Sequence, residues 1–114
     1  MAIARGEIWW AALPDPSGQE QDLKRPVVVV SSDAFNDSAI GTVNAVVLTS
    51  KLELAAAPGN FLLTRAQSGL LKDSVVNVSQ LVTLDRTYLR ERAGGIPDDM
   101  LDQLARGLRL VLDK

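Results

Sequence analysis

Apolar and polar positions alternate with a period of two along most of this chain, in short runs separated by turn-forming residues, which is the signature of β-strands. The first run, Arg5-Gly6-Glu7-Ile8-Trp9-Trp10-Ala11-Ala12-Leu13, climbs into an aromatic pair and stops at Pro14-Asp15-Pro16-Ser17-Gly18. Adjacent residues of a strand face opposite sides, so one tryptophan belongs to a core and the other either covers a second layer or contacts a partner. The second run opens at Lys24-Arg25-Pro26 and continues into Val27, Val28, Val29 and Val30. Proline is tolerated at the start of a strand, and valines on both alternating sets predict a strand covered on both faces. Cap and turn residues follow from Ser31 to Asp37, enough for one helical turn.

The third strand spans Thr42 to Ser50, with Val43, Ala45 and Val47 on one face, Val46 and Leu48 on the other, and the polar tip Thr49-Ser50-Lys51. Lys51 to Gly59 reads as a connection in which Pro58-Gly59 ends any helix begun at Leu52. A short strand, Asn60 to Thr64, and a polar stretch, Arg65 to Asp73, precede the longest β-rich run, Ser74 to Leu84. Strict alternation there puts Ser74, Val76, Val78 and Gln80 on one side, so Gln80 either caps a buried backbone group or faces a ligand. That makes five strands. Asp85 to Gly95 is charged and ends in two glycines, which predicts a hinge or loop. Pro97-Asp98-Asp99 then opens a helix, with proline and acids suited to its first turn. Its apolar stripe, Met100, Leu101, Leu104, Ala105, Leu108, Val111 and Leu112, is core or dimer interface.

The second and third strands offer a test of register. If they pair antiparallel across residues 33 to 41 with Ser32 facing Thr42, Arg25 faces Thr49. Directly opposed residues share a face with side chains roughly 5 Å apart, so a cation and a hydroxyl would converge at one end of the sheet. An isolated arginine at a strand rim is otherwise an inert solvated charge.

Composition narrows the chemistry. With 114 residues and 12.3 kDa the chain fits one domain over 1–114, long enough to bury a core without staples. Cysteine and histidine are absent, which removes thiolate metal sites, the commonest metal ligand and the commonest acid–base group. No metal site or cofactor is expected, and a cytoplasmic setting is the simpler reading. No signal peptide is expected, since Met1-Ala2-Ile3-Ala4-Arg5 is followed by charge and not by a long apolar core, and no uncharged 18-residue stretch suited to a membrane span occurs in these 114 residues. Lys plus Arg number 12 and Asp plus Glu 14, a net charge of −2, which argues against a broad electrostatic grip on nucleic acid but not against a compact positive pocket.

In order and spacing, several segments resemble the MazF/PemK toxins of bacterial type II toxin–antitoxin systems: Arg5-Gly6-Glu7-Ile8-Trp9-Trp10, Gly18-Gln19-Glu20-Gln21, Arg25-Pro26-Val27-Val28-Val29-Val30, the Leu48-Thr49-Ser50 strand end, and Asp73-Ser74-Val75-Val76 with Gln80 and Thr83-Leu84-Asp85. The likeness spans almost the whole chain. It implies a mainly β fold, a small SH3-like antiparallel barrel (PemK/CcdB-like) with a C-terminal α-helix. It also implies a homodimer and a sequence-specific, metal-independent endoribonuclease of single-stranded RNA, held in check by a MazE-like antitoxin. The family's catalytic arginine before proline matches Arg25 and its strand-end threonine matches Thr49, the pair that the register brings together. Glu20, Gln21, Lys24, Ser50, Lys51 and Gln80 are the expected RNA-binding positions, and Glu20 is the one acid nominated as a proton acceptor. Gln19 departs from the family pattern, where many members carry serine. Two rival readings remain at this level: a CcdB-like, non-enzymatic inhibitor of DNA gyrase, and a barrel-type interaction module using Trp9 or Trp10 and the loop 14–24.

Overall fold

The computed structural model describes residues 2–13 and 23–113. Glu20 and Gln21 therefore lie outside the described residues, as does most of the loop 14–24.

The valine run forms the middle of a sheet. Strands β1 (Glu7–Leu13), β2 (Leu23–Val29) and β3 (Thr42–Thr49) form an antiparallel meander, β4 (Phe61–Leu63) and β5 (Ser74–Asp85) extend it beyond β3, and β6 (Leu89–Gly95) pairs with β1. The order across this six-stranded sheet is β4-β5-β3-β2-β1-β6. Val28 lies in one apolar cluster with Ile8, Val46, Leu48, Phe61, Leu63, Val76 and Val78, while Val27 and Val29 lie in another with Trp9, Ala11, Val43, Ala45, Val47 and Leu84. All three valines are fully buried, so β2 is covered on both faces, as its lack of polar alternation predicts. The tryptophans divide as strand geometry requires: Trp9 is buried in the second cluster, and Trp10 packs half-buried against the first.

The β2–β3 connection holds the α1 turn (Asp33–Asn36), N-capped by the Ser32 side chain, which accepts from the Phe35 N–H. Buried Asn36 donates from Nδ2 to the Ser31 carbonyl, and Ser31 Oγ accepts from the Asn44 N–H, tying the turn to both strands. Val27 then faces Val47, Val28 faces Val46 and Val29 faces Ala45, which is the register anticipated from the Ser32–Thr42 alignment.

Three features differ from the sequence expectation. Among the described residues there are six strands, because Leu89–Gly95 is an edge strand on β1 and not a hinge; its exposed Arg90, Glu91 and Arg92 are outward residues of an edge, where charge is favourable. The Arg65–Asp73 stretch contains a helical turn, α2 (Arg65–Ser68), with a capping box between Thr64 and Gln67 and left-handed Gly69 as its stop. The β3–β5 register jumps between Val46, which faces Leu81, and Val47, which faces Asn77. Residues 78–80 are thus an irregularity that breaks strict alternation. Gln80 is exposed and accepts from Asn77 Nδ2 at 3.3 Å, so it caps no buried backbone group.

The sheet curls into a half-barrel because α2 lies against the far edge strand. A Cβ on Gly94 of β6 would sit 2.0 Å from the Ser68 carbonyl oxygen, and one on Gly69 would sit 2.9 Å from the Ala93 oxygen. Backbone meets backbone there. Helix α3 (Asp98–Leu112) covers the first cluster with fully buried Leu104 and with Met100, Leu101 and Leu108, and Gly107 lets it rest on the loop before β4. Its last turn is different: Leu110, Val111 and Leu112 are exposed. The predicted stripe is core in its first three turns only. At the β5–β6 turn the Asp85 carboxylate accepts from the Thr87 N–H and hydroxyl, which hold it below the usual carboxylate range.

Candidate functional site

The ends of β2 and β3 far from α1 carry the chemistry. Carried two residues beyond the Val27–Val47 pair, the observed register sets Arg25 across from Thr49. Both residues line one cleft of about 430 Å³, together with Trp10, Pro26, Leu48, Ser50, Lys51, Leu70, Leu71, Lys72 and Ser74. Residues of both sheet faces meet in it. Arg25 faces Ala11 across the β1–β2 ladder and so belongs to the face of the second cluster, whereas Trp10 faces Pro26 on the other. The cleft borders both faces because it sits where the strands end.

Three cationic residues line this cleft, Arg25, Lys51 and Lys72, and no acid does among the described residues. On a chain of net charge −2 that is a local positive field in a concave site, which concentrates anions. A shallower depression adjoins it, lined by Ser50, Leu52, Arg65, Leu71, Lys72 and Asp73, so the two share Ser50, Leu71 and Lys72. Arg25 is exposed and makes no ion pair or side-chain hydrogen bond among the described residues. Its planar fork is open to a phosphate. Thr49 is half-buried, and its Oγ1 accepts from the Lys51 N–H at 3.2 Å. That bond fixes the hydroxyl at the strand tip and leaves its proton free to donate outward.

Of the expected site residues, Arg25, Thr49, Ser50 and Lys51 come together. Lys24 is exposed on β2 but does not line the cleft, and Gln80, beyond the β5 irregularity, lines neither depression. Glu20 and Gln21 belong to the undescribed loop. Sequence reasoning missed Leu70, Leu71 and Lys72, which reach the site through the turn after α2, and Ser74, which opens β5. The signal was available: Thr64-Arg65-Ala66-Gln67 before Gly69 is a capping box and a helix stop within a stretch otherwise read as polar loop.

Chemically, the cleft supplies cations and hydroxyls for a phosphate group beside an apolar and aromatic wall suited to a flat ring. A proton acceptor is not among its described lining residues.

Residues 4–112 match the family model described as PemK-like, MazF-like toxin of type II toxin–antitoxin systems. Endoribonuclease MazF6 of Mycobacterium tuberculosis (strain ATCC 25618 / H37Rv) is 48% identical over 113 residues, covering 99% of each chain. Endoribonuclease EndoA of Bacillus subtilis (strain 168) is 28% identical over 112 residues, covering 98% of this chain and 96% of that one. Among solved structures, a MazE–MazF crystal structure from Deinococcus radiodurans superposes with a TM-score of 0.80 at 24% identity, covering 99% of this chain and 97% of that one, which shows the fold.

Proposed function

Because the chain belongs to the PemK-like, MazF-like toxin family of type II toxin–antitoxin systems, we propose that its strand-end cleft is where it cuts single-stranded RNA, with Arg25 and Thr49 as the catalytic pair. The protein is an endoribonuclease, like its relative at 48% identity. The CcdB-like gyrase-inhibitor reading finds no support in these relatives.

One observation carries the site assignment: the β2–β3 register aligns Arg25 with Thr49, and both line the same positive cleft. A cleft of this kind suits transphosphorylation. The ribose 2′-oxygen attacks the adjacent phosphorus, the bond from phosphorus to the 5′-oxygen breaks, and the products are a 2′,3′-cyclic phosphate and a 5′-hydroxyl. The proton leaving the 2′-hydroxyl goes to a base, and one is delivered to the departing 5′-oxygen. The nucleophile is already in the substrate, so the protein needs to align it and stabilise charge on the phosphorane. Arg25 supplies that charge through two parallel donors. It is too basic to accept a proton, so the base is a separate group, and Glu20 remains the nominee. Thr49 and Ser50 hydroxyls orient the non-bridging oxygens, while Lys51 and Lys72 hold the strand. Lys24, Gln21 and Gln80 serve, in this reading, nucleotides further along it.

The partners are single-stranded RNA, a MazE-like antitoxin and a second copy of the chain in a homodimer. The exposed Leu110, Val111 and Leu112 on α3, with Leu62 and Leu71, offer apolar surface for such contacts. Among the described residues no helix is long and apolar enough to cross a membrane, and the cytoplasm, where mRNA lies, is the proposed location.

The test is cleavage of a single-stranded RNA in EDTA by the wild-type protein and by Arg25→Ala. The expected result is a 2′,3′-cyclic phosphate end from wild type, resistance of the same sequence in a duplex, whose base edges are occupied, and loss of cleavage by Arg25→Ala. Complete dependence on added magnesium, or an unchanged rate for a well-folded Arg25→Ala, overturns the reading.

A further inference from the structure

The catalytic pair occupies one side of the cleft, and nothing so far accounts for the aromatic residue on the other. Trp10 faces Pro26 across the β1–β2 ladder and lines the cleft with Pro26, Leu48, Leu70 and Leu71. Its neighbour Trp9 is a finished core residue: 5% exposed, packed among valines, with Nε1 donating to Glu7 Oε1 at 3.2 Å. Trp10 is only half-buried, and its indole N–H has no hydrogen-bond partner among the described residues. Tryptophan N–H groups usually find a partner when they are buried. An indole with one side packed on the core, the rest open in a cleft, and its donor unused is in the state of a surface awaiting a ligand.

The chemistry beside it narrows what that ligand is. Arg25 and Thr49 lie one sheet face away at the same strand ends, so a group held against the indole is about one nucleotide's reach from a phosphate at the catalytic pair. A nucleobase is flat, offers a π-face whatever its identity, and stacks on aromatic side chains in unpaired RNA. We propose that Trp10 is the stacking platform for one of the two bases flanking the scissile phosphate, and that it holds the nucleotide so that its phosphate falls between Arg25 and Thr49. Leu48, Leu70 and Pro26 supply apolar lining for the ring, and Lys72 lines the same cleft. Trp10 is thus a substrate-binding residue acting mainly on affinity. The inference rests on the proposed RNA-cleaving site.

Trp9→Phe leaves Trp10 as the single tryptophan, because the chain has two. A 2′-O-methyl copy of a cleaved RNA, which has no free 2′-hydroxyl and is not cut, is titrated into that variant. The expected result is a saturable change in Trp10 emission whose midpoint matches binding measured by anisotropy of the labelled oligonucleotide. Trp10→Leu should raise KM by roughly 5- to 100-fold, the loss seen when a stacking aromatic is removed, with kcat changed far less, and Trp10→Phe should recover most of the affinity. If bound RNA leaves Trp10 emission unchanged, or if Trp10→Leu cuts with unaltered kcat/KM, the proposal is overturned. Should Trp10→Leu fail to fold, the emission change in Trp9→Phe decides alone. Failure of the catalytic assignment looks different: Arg25→Ala then cuts normally, whatever Trp10 emission does.

Discussion

At the residue scale, the juxtaposition of Arg25 and Thr49 was legible because it follows from arithmetic on strand register. Arg25 and Thr49 are 24 positions apart in sequence order, yet a tight connection of known length leaves few ways to align two valine-rich strands. Gln80 was misplaced for the converse reason: alternation was extrapolated through an irregularity that the sequence Val78-Ser79-Gln80 does not announce. The roles proposed for Arg25 and Thr49 lead to different costs. Loss of one donor to developing phosphorane charge lowers kcat by roughly 10²- to 10³-fold, so Arg25→Ala should fall in that range and Thr49→Ala, which loses a neutral hydroxyl, should fall less. Arg25→Lys should recover little, because a point charge cannot reproduce the bidentate fork. Both residues lie outside the apolar clusters, and each variant should melt within the small change usual for surface substitutions, about 0.5 kcal/mol. Single-turnover cleavage beside a thermal melt checks the set; a lysine variant as fast as wild type would reduce Arg25 to a simple counter-charge.

At the element scale, strands with a buried valine or leucine on every second position were legible, and those that earn their place at an edge were not. In β6 only Leu89 is buried, its middle is Arg90-Glu91-Arg92, and it ends in Gly94-Gly95, so its composition matches a loop. What makes it a strand is contact: β1 needs a partner on its open side, and Gly94 lets the β6 backbone reach Ser68 of α2. The curl of the sheet thus depends on the absence of one methyl group. Gly94→Ala places a Cβ 2.0 Å from a backbone oxygen, where no side chain can swing aside, and β6 or α2 has to move. Overpacking of this kind costs about 1–3 kcal/mol. The expected outcome is a lower melting temperature with faster hydrogen exchange in β6 and α2. Gly41→Ala, with nothing within 4 Å of its Cβ, is the control. Equal melting temperatures for the two variants would mean that the edges do not clasp in solution.

At the scale of the whole molecule, the fold class and the convergence of polar groups at the β2 and β3 ends were legible, while the way the candidate cleft is completed was not, since Lys72 and its neighbours arrive from a turn whose apolar content is too small to show periodicity. That completion sets the electrostatics. The chain is acidic overall, with 14 acids against 12 bases, so the proposed hold on RNA rests on a few placed cations and not on a basic surface. Three of them line the cleft, Arg25, Lys51 and Lys72. Each phosphate neutralised on a single strand contributes about 0.7 to the slope of log affinity against log salt, so a strand held in one cleft should show a slope of about −2. A strand laid across both clefts of a dimer should show about twice that. Binding of the uncleavable 2′-O-methyl RNA, measured by anisotropy from low to moderate salt, gives the slope directly, and Lys72→Ala should reduce it by about 0.7 for each cleft engaged. A slope near zero would mean that stacking and hydrogen bonds alone hold the strand, and a slope unchanged by Lys72→Ala would remove Lys72 from the phosphate path and leave the cleft to Arg25 and Lys51.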